Sequence, residues 1–291
     1  MLVVVVIWGL NFSVTKVAFD EFPPLAFTAV RFVLASILLV PLVRRIEGRE
    51  PLPKGSVRRL VVLGVVGNTL YQIGFILGLA RTTASNSSLI IASMPSLVAV
   101  FAVALGFEAF RWRVMGGVLV ATVGVVLVVL AQGTGAAHGD LTGDLLTVAA
   151  VFCWAGYTLG LRVLPPEISP LKVTMVTTVA GTPGLVLVGI PEFLHMDVGR
   201  VGLIGWSALA YATLFSLVLA YLLWNRSVQT VGASRTVIFM CLTPLVAVAG
   251  AAVMLGERPR PLQAVGAVLI IAGVLLVRGR QRPVSSSTIS L

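Results

Sequence analysis

Ten long apolar runs follow one another along this chain, and they constrain its fold more than any other feature. Each is about as long as the roughly 17 to 25 residues that a helix needs to cross the hydrocarbon of a bilayer. Of all residues, 58% are hydrophobic and only 11% are charged, whereas about 25% are charged in a typical soluble domain. The runs are continuous rather than alternating, which favours helices over a β-barrel. The sequence therefore predicts an all-α integral membrane protein with ten transmembrane helices, near residues 2–20, 24–43, 60–80, 86–107, 113–132, 142–162, 170–190, 203–225, 234–256 and 261–278.

The Lys and Arg residues are distributed unevenly between the two ends of these spans. With the N-terminus placed in the cytoplasm, fifteen cations fall on the cytoplasmic side and four on the opposite side. Because cytoplasmic loops of membrane proteins carry such an excess, both termini are expected to be cytoplasmic. The tail over residues 283–291 is then a polar cytoplasmic segment. The net charge of +10 reflects topology and attraction to anionic lipids, and no nucleic-acid partner is expected.

Matching residues recur along the chain at two constant spacings. A spacing of 149 residues relates Pro95, Glu108, Gly117 and Gly124 to Pro244, Glu257, Gly266 and Gly273. A spacing of 146 residues relates Trp8, Lys16 and Pro24 to Trp154, Arg162 and Pro170. Each copy holds five spans, an odd number, so the second copy enters the membrane from the opposite side. We predict two inverted five-helix repeats, over residues 1–132 and 133–282, an arrangement typical of secondary transporters with a site at the repeat interface.

The stretches that carry this repeat resemble a known family. WGLNFSVTKVAF, FPPLAFTAVRF, PSLVAVFAVALGFE and PLVAVAGAAVMLGE are similar to segments of the drug/metabolite transporter superfamily, in its EamA-type ten-helix branch. The likeness covers residues 1–282. It implies a transporter of small molecules in the bacterial inner membrane, most similar to exporters of amino acids, including aromatic ones. The motifs are specific for the superfamily and weak for the substrate.

Polar and aromatic side chains inside the predicted spans form the candidate substrate site. A buried amide without a partner is costly, so amides on the first and third spans must face other helices or an aqueous cavity. Aromatic faces can hold an ammonium group. For each residue alone, interhelical hydrogen bonding or core packing is the alternative. The candidate substrate-binding residues are Trp8, Asn11, Asn68, Tyr71, Gln72, Trp154, Tyr157 and Tyr221.

Two prolines are candidates for gating or kink positions. Pro95 and Pro244 are expected to interrupt the fourth and ninth spans, because proline lacks an N–H and crowds the carbonyl four residues earlier. The freed carbonyls would lie near Ile91 and Met240. Broken helices of this kind line substrate sites in transporters; the alternative is a kink that only shapes packing.

Two cations fall inside the predicted spans. Lys16 and Arg31 lie in the outer-leaflet parts of the first and second spans, where they either pair with Asp20 or Glu21 or attract a substrate carboxylate. No carboxylate is expected in the middle of a span. A proton-driven carrier usually needs a buried carboxylate or histidine that loads and releases a proton, so the sequence favours a facilitator.

No catalytic motif or metal-ligand spacing is present, so neither an enzyme nor a cofactor or metal site is expected. Carriers of phosphorylated substrates would need several cations in the cavity. We therefore predict a facilitator that exports small metabolites, amino acids first, by alternating access. The alternative is a proton-coupled drug or metabolite efflux pump, and a channel or a membrane enzyme is less favoured. The expected partners are the substrate and the bilayer, and a monomer could suffice.

Overall fold

The computed structural model describes residues 1–48, 51–107, 110, 112–130 and 140–278. Over these ranges the chain is helical and forms no strand, which confirms the all-helical prediction. Glu108, the predicted repeat boundary at 132/133 and the tail 283–291 lie outside the described residues. The main helices are α1 (Leu2–Ala18), α2 (Pro24–Ile46), α3 (Ser56–Arg81), α4 (Ala84–Ala104), α5 (Trp112–Leu130), α6 (Leu141–Val163), α7 (Pro170–His195), α8 (Leu203–Val231), α9 (Arg235–Met254) and α10 (Pro261–Arg278).

Within the described ranges, seven of these helices are long and apolar enough to cross a membrane: α2, α3, α4, α6, α7, α8 and α9. The apolar parts of α1, α5 and α10 are shorter, at 10–17 residues. Large apolar side chains cover the outside of the bundle; Leu187, Leu203 and Val253 are 74%, 86% and 86% exposed. Such a surface is stable only against lipid. The chain is therefore a multi-pass membrane protein.

Local sequence signals set where several helices begin. Thr83, Asp140 and Ser169 are N-caps whose side-chain oxygens accept a hydrogen bond from the amide three residues later, which satisfies one of the unpaired N–H groups of a first turn. Pro24 and Pro170 occupy the first position of α2 and α7, where a missing N–H costs nothing. Capping side chains and first-position prolines therefore determine where these apolar helices begin.

Three carboxylates bind the starts of helices that are distant in sequence. Glu257, just after α9, accepts hydrogen bonds from the first two amides of α4 at 2.8 and 3.0 Å. Glu192, near the end of α7, accepts from two amides in the first turn of α2 at 2.7 and 3.0 Å. Glu21 accepts from the Gly202 amide before α8 at 2.7 Å. Because a helix N-terminus favours an anion, these contacts join helices at the ends of the bundle.

Small residues allow α5 and α10 to pack with their backbones close together. A Cβ atom added to Gly124 would lie 2.7 Å from the Gly266 carbonyl oxygen, and one added to Gly273 would lie 2.5 Å from the Gly117 carbonyl oxygen. Approach this close is typical of small-residue helix interfaces in membranes. Since Gly117 meets Gly273 and Gly124 meets Gly266, the two helices run antiparallel.

Irregular helical segments occur at corresponding positions of the two predicted repeats. α3 contains a π-helical segment at Val65–Leu70, and α8 contains one at Ala212–Leu219. Shifting the first by 149 residues places it inside the second. α4 is interrupted after Ile91 and resumes at Met94, while α9 has a 3₁₀ segment at Ile238–Leu242 before its regular part. Wide turns of the π type leave carbonyls free for other partners and are frequent at functional sites.

Candidate functional site

A narrow cavity lies in the middle of the bundle, and its free volume of about 430 Å³ includes the open space at its mouth. Side chains from α1, α2, α3 and α4 line one part of it, and side chains from α6, α8 and α9 line the other. Six predicted substrate-binding residues lie on its wall: Trp8, Asn11, Tyr71, Gln72, Trp154 and Tyr221.

Aromatic rings form most of one side of the cavity. The ring centroid of Trp154 lies 4.7 Å from that of Tyr71, 5.2 Å from that of Tyr221 and 5.7 Å from that of Trp8. The Trp8 indole also donates a hydrogen bond of 3.0 Å to the Ser216 carbonyl oxygen, in the π-helical segment of α8. Edge-to-face and tilted contacts of this kind hold the rings in fixed orientations.

A charged and polar chain forms another part of the wall. Arg31 donates to the Gln72 carbonyl oxygen, and the Gln72 amide donates to the Tyr221 hydroxyl oxygen at 3.0 Å. Arg31 therefore does not pair with Asp20 or Glu21, the first of its two predicted alternatives, and attraction of a substrate carboxylate, the second, stays a prediction. Arg31 is two helical turns inside α2, it is only 2% exposed, and it lines the cavity. The position of Arg31 along α2 does not show which way its side chain points, so the sequence did not predict that it lines the cavity.

Lys16 lies away from the cavity. Its ammonium donates to the carbonyl oxygens of Leu79, at 3.2 Å, and of Thr82, both at the end of α3. A cation is favourable there because the last carbonyls of a helix are unpaired and carry partial negative charge. The side chain therefore binds a helix end rather than Asp20 or Glu21, the first of its two predicted alternatives, and attraction of a substrate carboxylate stays a prediction.

Asn68 and Tyr157 are buried behind the cavity wall. Asn68 is fully buried in the π-helical segment of α3. It packs closely against Gly181 of α7, since a Cβ atom added to Gly181 would lie 2.5 Å from the Cβ atom of Asn68. Tyr157 donates to the Asn225 side-chain oxygen at 2.9 Å, and the Asn225 amide donates to Thr174 at 2.8 Å. Neither candidate is among the residues that line the cavity in this conformation.

Pro95 and Pro244 occupy the start of the regular helix that follows each interruption. Proline is tolerated at that position because the N–H it lacks would be unpaired there. Ile91 is the last residue before the interruption of α4, and Met240 lies within the 3₁₀ segment of α9; both line the cavity. The prolines thus directly follow the irregular segments of α4 and α9, and neither is among the residues that line the cavity.

The sequence patterns did not single out two residues of the cavity wall and one buried carboxylate. Ser216 and Leu217 line the cavity from α8, and the single hint was that Leu217 follows Asn68 by 149 residues. Asp144 is fully buried in the first turn of α6 and accepts a hydrogen bond from Thr82 at 2.6 Å. The predicted sixth span therefore does contain a carboxylate. Among the described residues, no three His, Cys, Asp or Glu side chains are grouped to hold a metal ion.

Residues related by the repeat spacing touch one another at the centre of the bundle. If a two-fold axis relates the two copies, it lies midway between each residue and its equivalent. Where such a pair is in contact, the axis therefore passes through that contact. Two of the three such pairs are on the cavity wall. The pairs are Trp8 with Trp154 (ring centroids 5.7 Å apart), Gln72 with Tyr221 (Nε2 to Oη, 3.0 Å) and Ser36 with Thr182 (Oγ to Oγ1, 2.9 Å).

An apolar bundle in the membrane, built around a central cavity of aromatic and polar side chains, belongs to the class of membrane transport proteins. The chain is a member of the EamA-like transporter family, whose sequence profile matches residues 1–130 and 141–279. The uncharacterized transporter YyaM of Bacillus subtilis is 30% identical to it over 93% of this chain and 90% of that protein. A probable amino-acid metabolite efflux pump of Salmonella typhimurium is 29% identical over 94% of this chain and 92% of that protein. A crystal structure with 18% identity has the same fold, with a TM-score of 0.63 over 94% of this chain and 93% of the other.

Proposed function

We propose that this protein is a secondary transporter that exports small metabolites, amino acids first, by alternating access at the central cavity. The observation that carries the proposal is that residues on the cavity wall touch their own repeat equivalents, as Trp8 touches Trp154. A site between two related halves can be closed by either half and so opened to one side at a time. The similarity to a probable amino-acid metabolite efflux pump supports the choice of substrate.

The mechanism requires two inverted repeats, which we place at residues 1–132 and 133–282, followed by a cytoplasmic tail at 283–291. Two findings support this division: α5 and α10 pack antiparallel through equivalent glycines, and the family profile matches one stretch in each half. In this arrangement α1, α5 and α10 also cross the membrane, which gives ten crossings. From the excess of cations on one side we infer that both termini lie in the cytoplasm of a bacterial cell, with the protein in the inner membrane.

The cavity wall offers aromatic faces and polar side chains to a bound amino acid. The faces of Trp8, Tyr71 and Trp154 can attract an ammonium group by cation–π interaction, and Asn11 and Gln72 add polar groups. We assign Asn68 and Tyr157 the role of holding these side chains in place. The interruptions before Pro95 and Pro244 would let α4 and α9 bend as the cavity opens and closes.

We propose that the substrate's own gradient drives export. Glu21, Glu192 and Glu257 are bound to helix starts, so they are poorly placed to carry a proton past the cavity. Proton-coupled export is the second candidate, and Asp144 favours it. A buried carboxylate can load and release a proton during a transport cycle, and Asp144 is fully buried in α6.

Purified protein in sealed liposomes, given a panel of labelled amino acids, tests both candidates. For a facilitator, uptake is saturable, and a pH gradient with equal substrate on both sides produces no net accumulation. Uphill accumulation that a protonophore abolishes would establish the proton-coupled alternative, and its loss in Asp144→Asn or Lys16→Ala would identify the proton carrier. Flux that does not saturate would indicate a channel. If no amino acid on the panel is transported, the proposal of amino-acid export fails.

A further inference from the structure

Arg31 brings a positive charge to the wall of the central cavity. A guanidinium has five N–H donors and no acceptor. One donor is bonded to Gln72, and the Nε donor has no partner among the described residues. The rings of Phe27 and Phe32 lie 5.6 and 5.8 Å from its central carbon atom and keep two of its sides apolar. Arg31 therefore has hydrogen-bonding capacity that the surrounding side chains do not use.

The described part of the cavity wall contains no acidic side chain to balance this charge. Glu21, Glu192 and Glu257 bind helix starts elsewhere, and Asp144, at the start of α6, accepts from Thr82. A buried charge without a counter-charge is costly, and an anion beside it removes much of that cost. The cavity is thus electrostatically suited to a negatively charged group.

The hydrogen bonds next to Arg31 also favour an acceptor in the cavity. Because a guanidinium can only donate, Gln72 must turn its carbonyl oxygen to Arg31 and its amide to the Tyr221 oxygen. The hydroxyl hydrogen of Tyr221 is then available to donate. The Trp154 indole N–H likewise has no acceptor among the described residues, while Asn11 supplies one unpartnered acceptor oxygen. Arg31, Tyr221 and Trp154 thus bring hydrogen-bond donors to the residues that line the cavity, and a carboxylate ligand accepts such bonds.

The fold itself does not require a cation at this position. The repeat equivalent of Arg31, 146 residues later, is Thr177. Its hydroxyl donates to the Val173 carbonyl oxygen of its own helix at 2.8 Å. The equivalent position in the second half therefore has a neutral side chain. The two halves differ in charge at this position, although the repeat relates their sequences. This asymmetry points to a role in binding.

We infer that the central site selects its substrates by a carboxylate group, which Arg31 and Tyr221 bind, and that a substrate ammonium group is dispensable. The inference rests on the proposed transport function and narrows its substrates to small organic acids with an apolar body. Amino acids are accepted through their carboxylate. An ammonium group would find aromatic faces and the Asn11 oxygen, but no carboxylate, and it would share the cavity with a guanidinium. An amine without a carboxylate is therefore rejected.

Three ligands with the same ring separate these requirements: L-phenylalanine, 3-phenylpropionate, which lacks the amine, and 2-phenylethylamine, which lacks the carboxylate. Their binding to purified protein in detergent can be followed by tryptophan fluorescence, because Trp8 and Trp154 line the cavity. This measurement does not depend on transport. We expect the two carboxylates to bind within about threefold of each other, and the amine to bind at least about tenfold more weakly.

Substitutions then test which residue binds the carboxylate. Arg31→Met keeps a long side chain without charge, and it should weaken binding of both carboxylates by about 10- to 100-fold without weakening binding of the amine. Tyr221→Phe should weaken carboxylate binding several-fold. Thr177→Val, at the repeat equivalent, is the matched control and should leave binding unchanged. Thermal unfolding of each variant shows whether it is folded, and the ligand panel on the unmodified protein does not depend on any variant.

Several outcomes would overturn the inference: amine binding as tight as that of the carboxylates, no binding of either carboxylate, or unchanged carboxylate binding in folded Arg31→Met. Failure of the proposed function looks different. A protein that binds both carboxylates but moves no amino acid across liposomes would refute amino-acid export and leave the carboxylate site standing.

Discussion

The contact between α5 and α10 predicts the effect of a single added methyl group. In Gly124→Ala, the new Cβ atom would lie 2.7 Å from the Gly266 carbonyl oxygen and 2.8 Å from the Ile270 backbone nitrogen, whereas ordinary contact begins at 3.4 Å. The two helices would have to separate by about 0.7 Å to restore normal contact. Overpacking of this kind typically costs about 1 to 3 kcal/mol.

Gly116, in the same helix, provides a matched control. A Cβ atom added there meets nothing within 4 Å. Both alanines gain the same helix propensity, about 1 kcal/mol, so the difference between the two variants isolates the clash. Gly124→Ala should be about 1 to 3 kcal/mol less stable than Gly116→Ala. Gly273→Ala, the repeat equivalent of the first change, should be destabilised to a similar degree because its Cβ atom would lie 2.5 Å from the Gly117 oxygen.

Unfolding of the purified variants in mixed micelles, titrated with a denaturing detergent and followed by tryptophan fluorescence, measures these differences. Equal stability of Gly124→Ala and Gly116→Ala would show that α5 and α10 do not pack closely at this point. A Gly273→Ala variant that is tolerated while Gly124→Ala is not would contradict the two-fold relation between the halves.

Further substitutions test other contacts. Glu257→Gln should lower the free energy of unfolding by about 1 kcal/mol, because the start of α4 loses an anion, while Glu167→Gln at an exposed position should have no effect in the same titration. With the native cysteines replaced, Ser36→Cys combined with Thr182→Cys should form an intramolecular disulfide on mild oxidation, visible as a mobility shift that a reductant reverses; no shift would place the two residues farther apart than their 2.9 Å contact implies. Trp154→Ala should reduce transport in liposomes more than it reduces the yield of folded protein, and equal losses would favour a packing role.

The positions of the helices could be predicted because the signals are local. The last apolar run was placed at residues 261–278, and α10 covers Pro261–Arg278. Pro95 and Pro244 likewise indicated where α4 and α9 are interrupted, since the effect of a proline acts within one helical turn. Six of the eight candidate binding residues line the cavity, because a polar or aromatic side chain inside a span is avoided on the lipid-facing side.

What the sequence did not predict depends on tertiary contacts. The depth of Arg31 follows from which face of α2 meets the other helices, and the residue types of one helix do not fix that. The π-helical segments of α3 and α8 contain no residue that distinguishes them from ordinary helix. Glu21 was a predicted partner of Lys16 or Arg31, and no pattern singled out Glu192, yet each binds the start of a helix more than 160 residues away in the sequence.

The contact of Ser36 with Thr182 has a consequence for how motion in this protein can be observed. Suppose that the two halves exchange conformations when the cavity opens to the other side of the membrane. A contact between two equivalent residues is then the same before and after the exchange. The hydrogen bond between Ser36 and Thr182 is therefore kept in both conformations, and the halves move about it. The contact of Glu257 with the start of α4 joins residues that are not equivalent, so it is not kept in this way. It must open when the cavity opens on that side. Spectroscopic labels near Ser36 would therefore report an almost constant distance, while labels at the adjoining ends of α4 and α9 would report the full amplitude of the movement.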